Sequence, residues 1–98
     1  MASRRPRHPG AILQSDFLLP HGLSMSAAAR QLGLSQQLLN QIVLEENPVT
    51  ARTALRLGKL FGTSPEFWLD RQRDWDVWHE LKAGKRALAS IRPVRPRQ

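Results

Sequence analysis

Apolar residues recur along this chain at intervals of three and four, and turn-forming residues cut the pattern into short blocks, which predicts helices and no strand. Pro9 suits a first helical position, and Ile12, Leu13, Phe17 and Leu18 form a stripe that Pro20 and Gly22 interrupt. Ser24 can cap a second helix whose inward positions are Ala28, Ala29 and Leu32, with Gly33 free to take the positive φ that ends it. Leu34 then points back to the core. Ser35 caps a third helix with Leu38, Leu39, Ile42 and Val43 on one side and Gln36, Gln37, Asn40 and Gln41 on the other. Pro48 marks a loop, Thr50 caps a fourth helix carrying Ala54, Leu57, Gly58 and Phe61, and Gly62 closes it. Ser64 and Pro65 start a fifth, with Glu66 in the first turn where the helix dipole favours a carboxylate.

The second and third helices, joined by a tight turn, form a helix-turn-helix, and the outer face of the third is entirely carboxamide. Asn and Gln present a donor and an acceptor from one planar group, so each can bond N6 and N7 of adenine together in the major groove. A solvated helix side is polar in any protein; the glycine turn and the cap are what favour DNA contact over mere solvation.

The fifth helix is less ordinary. Phe67, Trp68, Leu69, Trp75, Trp78 and Leu81 occupy more of its surface than one core face requires, while Asp70, Asp74, Asp76 and Glu80 alternate with Arg71 and Arg73. Two or three of these aromatics belong in the core. The others, Trp75 and Trp78 first among them, predict a partner or dimer interface, to which Trp68 and Arg71 are also assigned.

Ninety-eight residues suffice for one modest core, and without cysteine neither a disulfide framework nor a thiolate metal site can form. The segment MASRRPRHPG lacks the apolar run of a secretory signal, and nothing approaches the ~18 apolar residues of a membrane span; a cytoplasmic location is the expectation. Net charge is +7, but it sits at the ends. Residues 1–9 contribute +3, residues 82–98 contribute +6, and the stretch between them comes to −2. Within that stretch residues 10–63 are nearly neutral at +1, whereas residues 64–81 carry −3, which would repel DNA and attract a basic protein. Three parts follow: a basic arm at 1–8, a helical domain at 9–82 and a basic, flexible tail at 83–98.

Catalysis finds no support. His8, His21 and His79 are scattered and the acids lack a histidine pair at metal-ligand spacing; there is no glycine-rich phosphate loop and no activated nucleophile. No cofactor or metal is implied, and His8 is better placed to cap the first helix.

HPGAIL at 8–13, the helix-turn-helix at 24–43 and TARTALRLGKLFGTSPEFWLDRQRDWD at 50–76 resemble the HigA-type antitoxins, phage-repressor-like (XRE) helix-turn-helix proteins. The resemblance covers about residues 8–80. It implies an all-α, five-helix lambda-repressor-like domain and a homodimer that binds double-stranded operator DNA in its own promoter. It also implies a toxin partner, a small basic RelE-like ribonuclease. Carried over by position, Ser35, Gln36, Gln37, Asn40 and Gln41 fall on the base-reading helix, and Thr50 and Arg52 fall where a helix start and a side chain can hold a phosphate.

Two departures from the family pattern matter. Leu44, Glu45, Glu46 and Asn47 stand where a basic, glycine-containing loop is usual, so either this loop turns away from DNA or the affinity is weakened. Met25 stands where related repressors carry a phosphate-binding glutamine, leaving Ser24 and Ser26 as the local polar groups. Two alternatives stay open: a toxin-neutralising interaction module with weak or no DNA binding, and a phage-type regulator without a toxin.

Overall fold

The computed structural model describes residues 5–95; the outermost ends of both basic arms, 1–4 and 96–98, with Arg4 and Arg97, lie outside the described residues. Helix α1 (Pro9–Ile12) runs directly into a π-helical segment (Leu13–Leu18), followed by α2 (Met25–Leu32), α3 (Gln36–Val43), α4 (Ala51–Phe61), α5 (Pro65–Ala83) and α6 (Lys85–Ala89). No strand occurs among the described residues. The four hydroxyl caps form as the sequence predicts, with Ser24, Ser35, Thr50 and Ser64 each accepting from the backbone N–H three residues on. Gly33 (φ 68°) and Gly62 (φ 72°) end α2 and α4 in the left-handed region.

Three features depart from expectation. The first helix widens into a π-turn, with the Leu19 N–H donating to the Gln14 carbonyl at 3.1 Å; Leu13 and Leu18, at the two ends of this segment, are both fully buried. A sixth helix, α6, occupies the segment expected to be a flexible tail, although its residues are exposed throughout. The third departure corrects the interface assignment. Trp68 is 0% exposed, with its ring 5.0 Å from those of Phe17 and Phe67 and its indole N–H donating to Thr63 Oγ1 at 2.7 Å. Because the loop before α5 supplies that acceptor, the whole indole can leave water without stranding a donor. Trp68 is core, and no partner can touch it.

The core joins Leu13, Leu18, Leu39, Ile42, Leu57 and Trp68, each worth about 1.5–3 kcal/mol of burial. Gly10, buried in α1, lies so close to the end of α3 that a Cβ there would land on the Ile42 carbonyl oxygen. Gln72 is a buried polar residue that periodicity gave no reason to single out. Its Oε1 accepts from the Val49 N–H at 2.8 Å and its Nε2 donates to Asp76 at 2.9 Å, so α5 satisfies a backbone donor in the loop between α3 and α4. Among the described residues no helix is long and apolar enough to cross a membrane.

His8 caps α1, its Nδ1 accepting from the Gly10 N–H at 2.9 Å, with the Trp75 ring 5.0 Å away edge-on. Burial pushes its pKa below the ordinary 6.5, and nearby His79 adds to that, while Glu45 and Asp76 pull the other way. The folded state therefore favours neutral imidazole. As pH falls through 6.5 the unfolded chain takes up this proton first, so stability is expected to drop between 6.5 and the lower folded value and to be flat in this respect above 6.5. Urea titrations from pH 8 to 5 check this: His8→Asn, which keeps a capping acceptor, should flatten the acid-side loss, and a loss of equal size in that variant would assign it to other groups.

Candidate nucleic-acid interface

The outward face of α3 is set by which side of the helix the core claims. Leu39 and Ile42 are fully buried and Leu38 and Val43 half-buried, so Gln36, Gln37 and Asn40 project outward and are exposed. Gln41 is different. It is half-buried, and its Oε1 accepts from Asn47 Nδ2 at 2.7 Å while its backbone carbonyl receives the N–H groups of Glu46 (2.8 Å) and Asn47 (3.2 Å). Three carboxamides thus stand free with both donor and acceptor available, and the fourth braces the loop after α3 while its own amide N–H₂ is left to donate.

The two serine caps leave the hydroxyl protons available. Ser24 Oγ accepts from the Ala27 N–H and Ser35 Oγ from the Leu38 N–H, each at 3.1 Å, so each O–H can donate to an anion beside the helix start. Exposed Ser26 has its Oγ 3.5 Å from that of Ser24. At α4 the Thr50 cap is long, 3.5 Å to the Thr53 N–H, and exposed Arg52 has no ion-pair partner among the described residues. A helix start with loosely held donors and an unpaired guanidinium suits a phosphate oxygen.

Glu45 takes φ 65°, the one non-glycine residue with positive φ among those described. This turn sends it toward the N-terminal arm, where it lines a hollow with Arg5, Arg7, His8 and Trp75 and no residue of the carboxamide face. Glu45 thus lies on the arm side, apart from the carboxamide face, and Glu46 stays exposed.

The remaining predicted interface residues do not behave as one group. Arg71 folds back on its own helix, donating to the Phe67 carbonyl at 2.9 Å with its guanidinium 3.8 Å from the Phe67 ring centre. Trp75 and Trp78 are half-buried, with the Arg5 guanidinium 5.0 and 6.0 Å from their ring centres and Lys82 Nζ 4.6 Å from Trp78. The arm therefore covers part of the aromatic surface. Trp78, Val77 and Leu81 line an apolar groove rimmed by Arg73 and Asp74.

Comparison with known proteins places this geometry. A family profile described as helix-turn-helix matches residues 16–68. An uncharacterised HTH-type transcriptional regulator of Haemophilus influenzae is 38% identical over 98% of this chain and 89% of its own length. Among solved structures, Pseudomonas aeruginosa antitoxin HigA with the higBA promoter superposes with a TM-score of 0.87 at 36% identity, covering 93% of this chain and all of that one. Antitoxin GraA in complex with its operator superposes with a TM-score of 0.87 at 35% identity, covering 98% of each chain.

Proposed function

The chain belongs to the HigA-type antitoxins of the helix-turn-helix family, a family of DNA-binding regulators and not of enzymes, and from that premise we propose that it is the antitoxin and autorepressor of a toxin–antitoxin module in the cytoplasm. A homodimer sets two copies of α3 into successive major grooves of its own operator. Gln36, Gln37 and Asn40 read adenine-containing half-sites, with Gln41 donating from the edge of the face; Ser24, Ser26, Ser35, Thr50 and Arg52 fix the register on the phosphates. The observation that carries this proposal is the outward, unbonded carboxamide set on a helix whose other side is locked in the core.

Two protein contacts complete it. Val77, Leu81 and Leu88 are exposed along α5 and α6, and the acids Asp74, Asp76 and Glu80 precede the bases Lys82, Lys85 and Arg86 along the same stretch. An antiparallel two-fold pairing lays the acids of one copy over the bases of the other around an apolar centre, which fits a second copy. The net charge of −3 over residues 64–81 favours a basic partner, and that partner is a small RelE-like ribonuclease.

In gel-shift titrations on the chain's own upstream DNA, Gln37→Ala or Asn40→Ala is expected to cost ~1–3 kcal/mol per half-site and to relax base preference without changing the salt slope; both variants binding like the parent would move the base reading to another element. Leu81→Asp is expected to convert a dimer into a monomer by sedimentation, and an undisturbed dimer would place the pairing surface elsewhere. A small basic reading frame is expected beside this one, and co-expression of this chain should relieve the growth arrest that frame causes. Persistent arrest would remove the antitoxin role and leave a plain regulator.

A further inference from the structure

Arg56 has no assigned role, yet it makes the longest-range side-chain bond to the helix-turn-helix. It sits on the exposed face of α4, and its NH1 donates to the Leu32 carbonyl at 2.8 Å across a separation of 24 residues. The same nitrogen is 3.5 Å from the Gly33 carbonyl, close enough for attraction but at the limit of a hydrogen bond. These carbonyls are where a helix end needs help. Within the turn itself, Gly33 and Leu34 N–H groups already satisfy Ala29 and Arg30, while the last carbonyls of α2 have no partner inside their own helix. A guanidinium there meets both the unmet acceptor and the negative end of the α2 dipole.

Gly33 supports the same contact sterically. A Cβ at this position would stand 2.6 Å from Arg56 NH1, so the glycine that permits the left-handed turn also makes room for the guanidinium. No carboxylate pairs with Arg56 among the described residues; the described ion pairs involve Arg7 and Arg73. Ser35, the cap of the recognition helix, follows two residues after Gly33.

From this we infer that Arg56 is a positioning residue, clamping the turn of the helix-turn-helix to α4 and so fixing where the recognition helix begins. The inference rests on the DNA-reading role proposed above. Arg56 itself touches no base. Its contribution is to the selectivity of binding, because selectivity needs three carboxamides held within fractions of an ångström of their base edges, whereas non-specific attraction to phosphate tolerates slack.

The test compares the parent with Arg56→Met and Arg56→Lys in the full chain. Operator and scrambled-sequence affinities are measured across a salt series well below the unfolding midpoint. Arg56→Met is expected to weaken operator binding about tenfold, with scrambled-DNA affinity and salt slope unchanged; Arg56→Lys, which keeps a charged donor, should recover most of it. A slope flatter by about one unit with both DNAs weakened would make Arg56 a phosphate contact and overturn the inference, as would unchanged affinity for both DNAs. A DNA-free measurement separates this from failure of the DNA-reading role. Amide hydrogen exchange at residues 33–39 should quicken in Arg56→Met while that of residues 66–72 does not, even if the parent binds no operator. Unchanged protection at 33–39 overturns the clamp.

Discussion

The close approach of α1 to the end of α3 is the constraint on which the remaining structure depends. Gly10 meets the Ile42 carbonyl with no room for a side chain, and Ile42 with Leu39 is wholly buried beneath it. Once that side of α3 is committed, helical periodicity leaves Gln36, Gln37 and Asn40 no direction but outward. A helix held loosely would present the same amides in many orientations, and base selectivity would be lost to that freedom. The proposed base reading thus rests on backbone packing before it rests on the amides.

The surroundings of α3 are arranged to hold it from three sides. Its start is set by the Ser35 cap and by Arg56, which holds the carbonyl end of α2. Its far end is braced by Gln41, which gathers Glu46 and Asn47, and the next residues are fixed where Gln72 of α5 takes the Val49 N–H. The left-handed turn at Glu45 moves one carboxylate to the arm side, beside His8. Most of these contacts are hydrogen bonds, and they restrict the helix more than apolar packing alone can, because hydrogen bonds are directional where hydrophobic burial is not.

Helix α5 divides into two chemical regimes along its length. Its first two turns pack one side on the core, with Trp68 sealed by Thr63 and the phenylalanine cluster. Beyond Gln72 the same helix leaves the body behind and becomes surface. Trp75 and Trp78 are flanked by Arg5, His8, His79 and Lys82, and Val77 and Leu81 are exposed. Tryptophan suits that border, since its ring accepts both apolar neighbours and cations.

What the sequence by itself determined is the local grammar: four hydroxyl caps, two left-handed glycines, the apolar stripes of α2 and α3 and the amide face opposite them. These follow from residues three or four positions apart, and the physics of a helix end or an amphipathic side is contained in that span. Only the tertiary structure decided that Trp68 is core, that the first helix widens into a π-turn, that Gln41 is tethered, that Glu45 faces the arm, and that Gln72 and Arg56 reach backbone groups 23 and 24 residues away. A tryptophan's periodicity is the same whether a neighbour helix or a partner covers it, and a polar side chain carries no sign of the distant carbonyl or N–H that will claim it. Those outcomes depend on which backbone groups are left unsatisfied when the helices come together, and that is settled only in three dimensions.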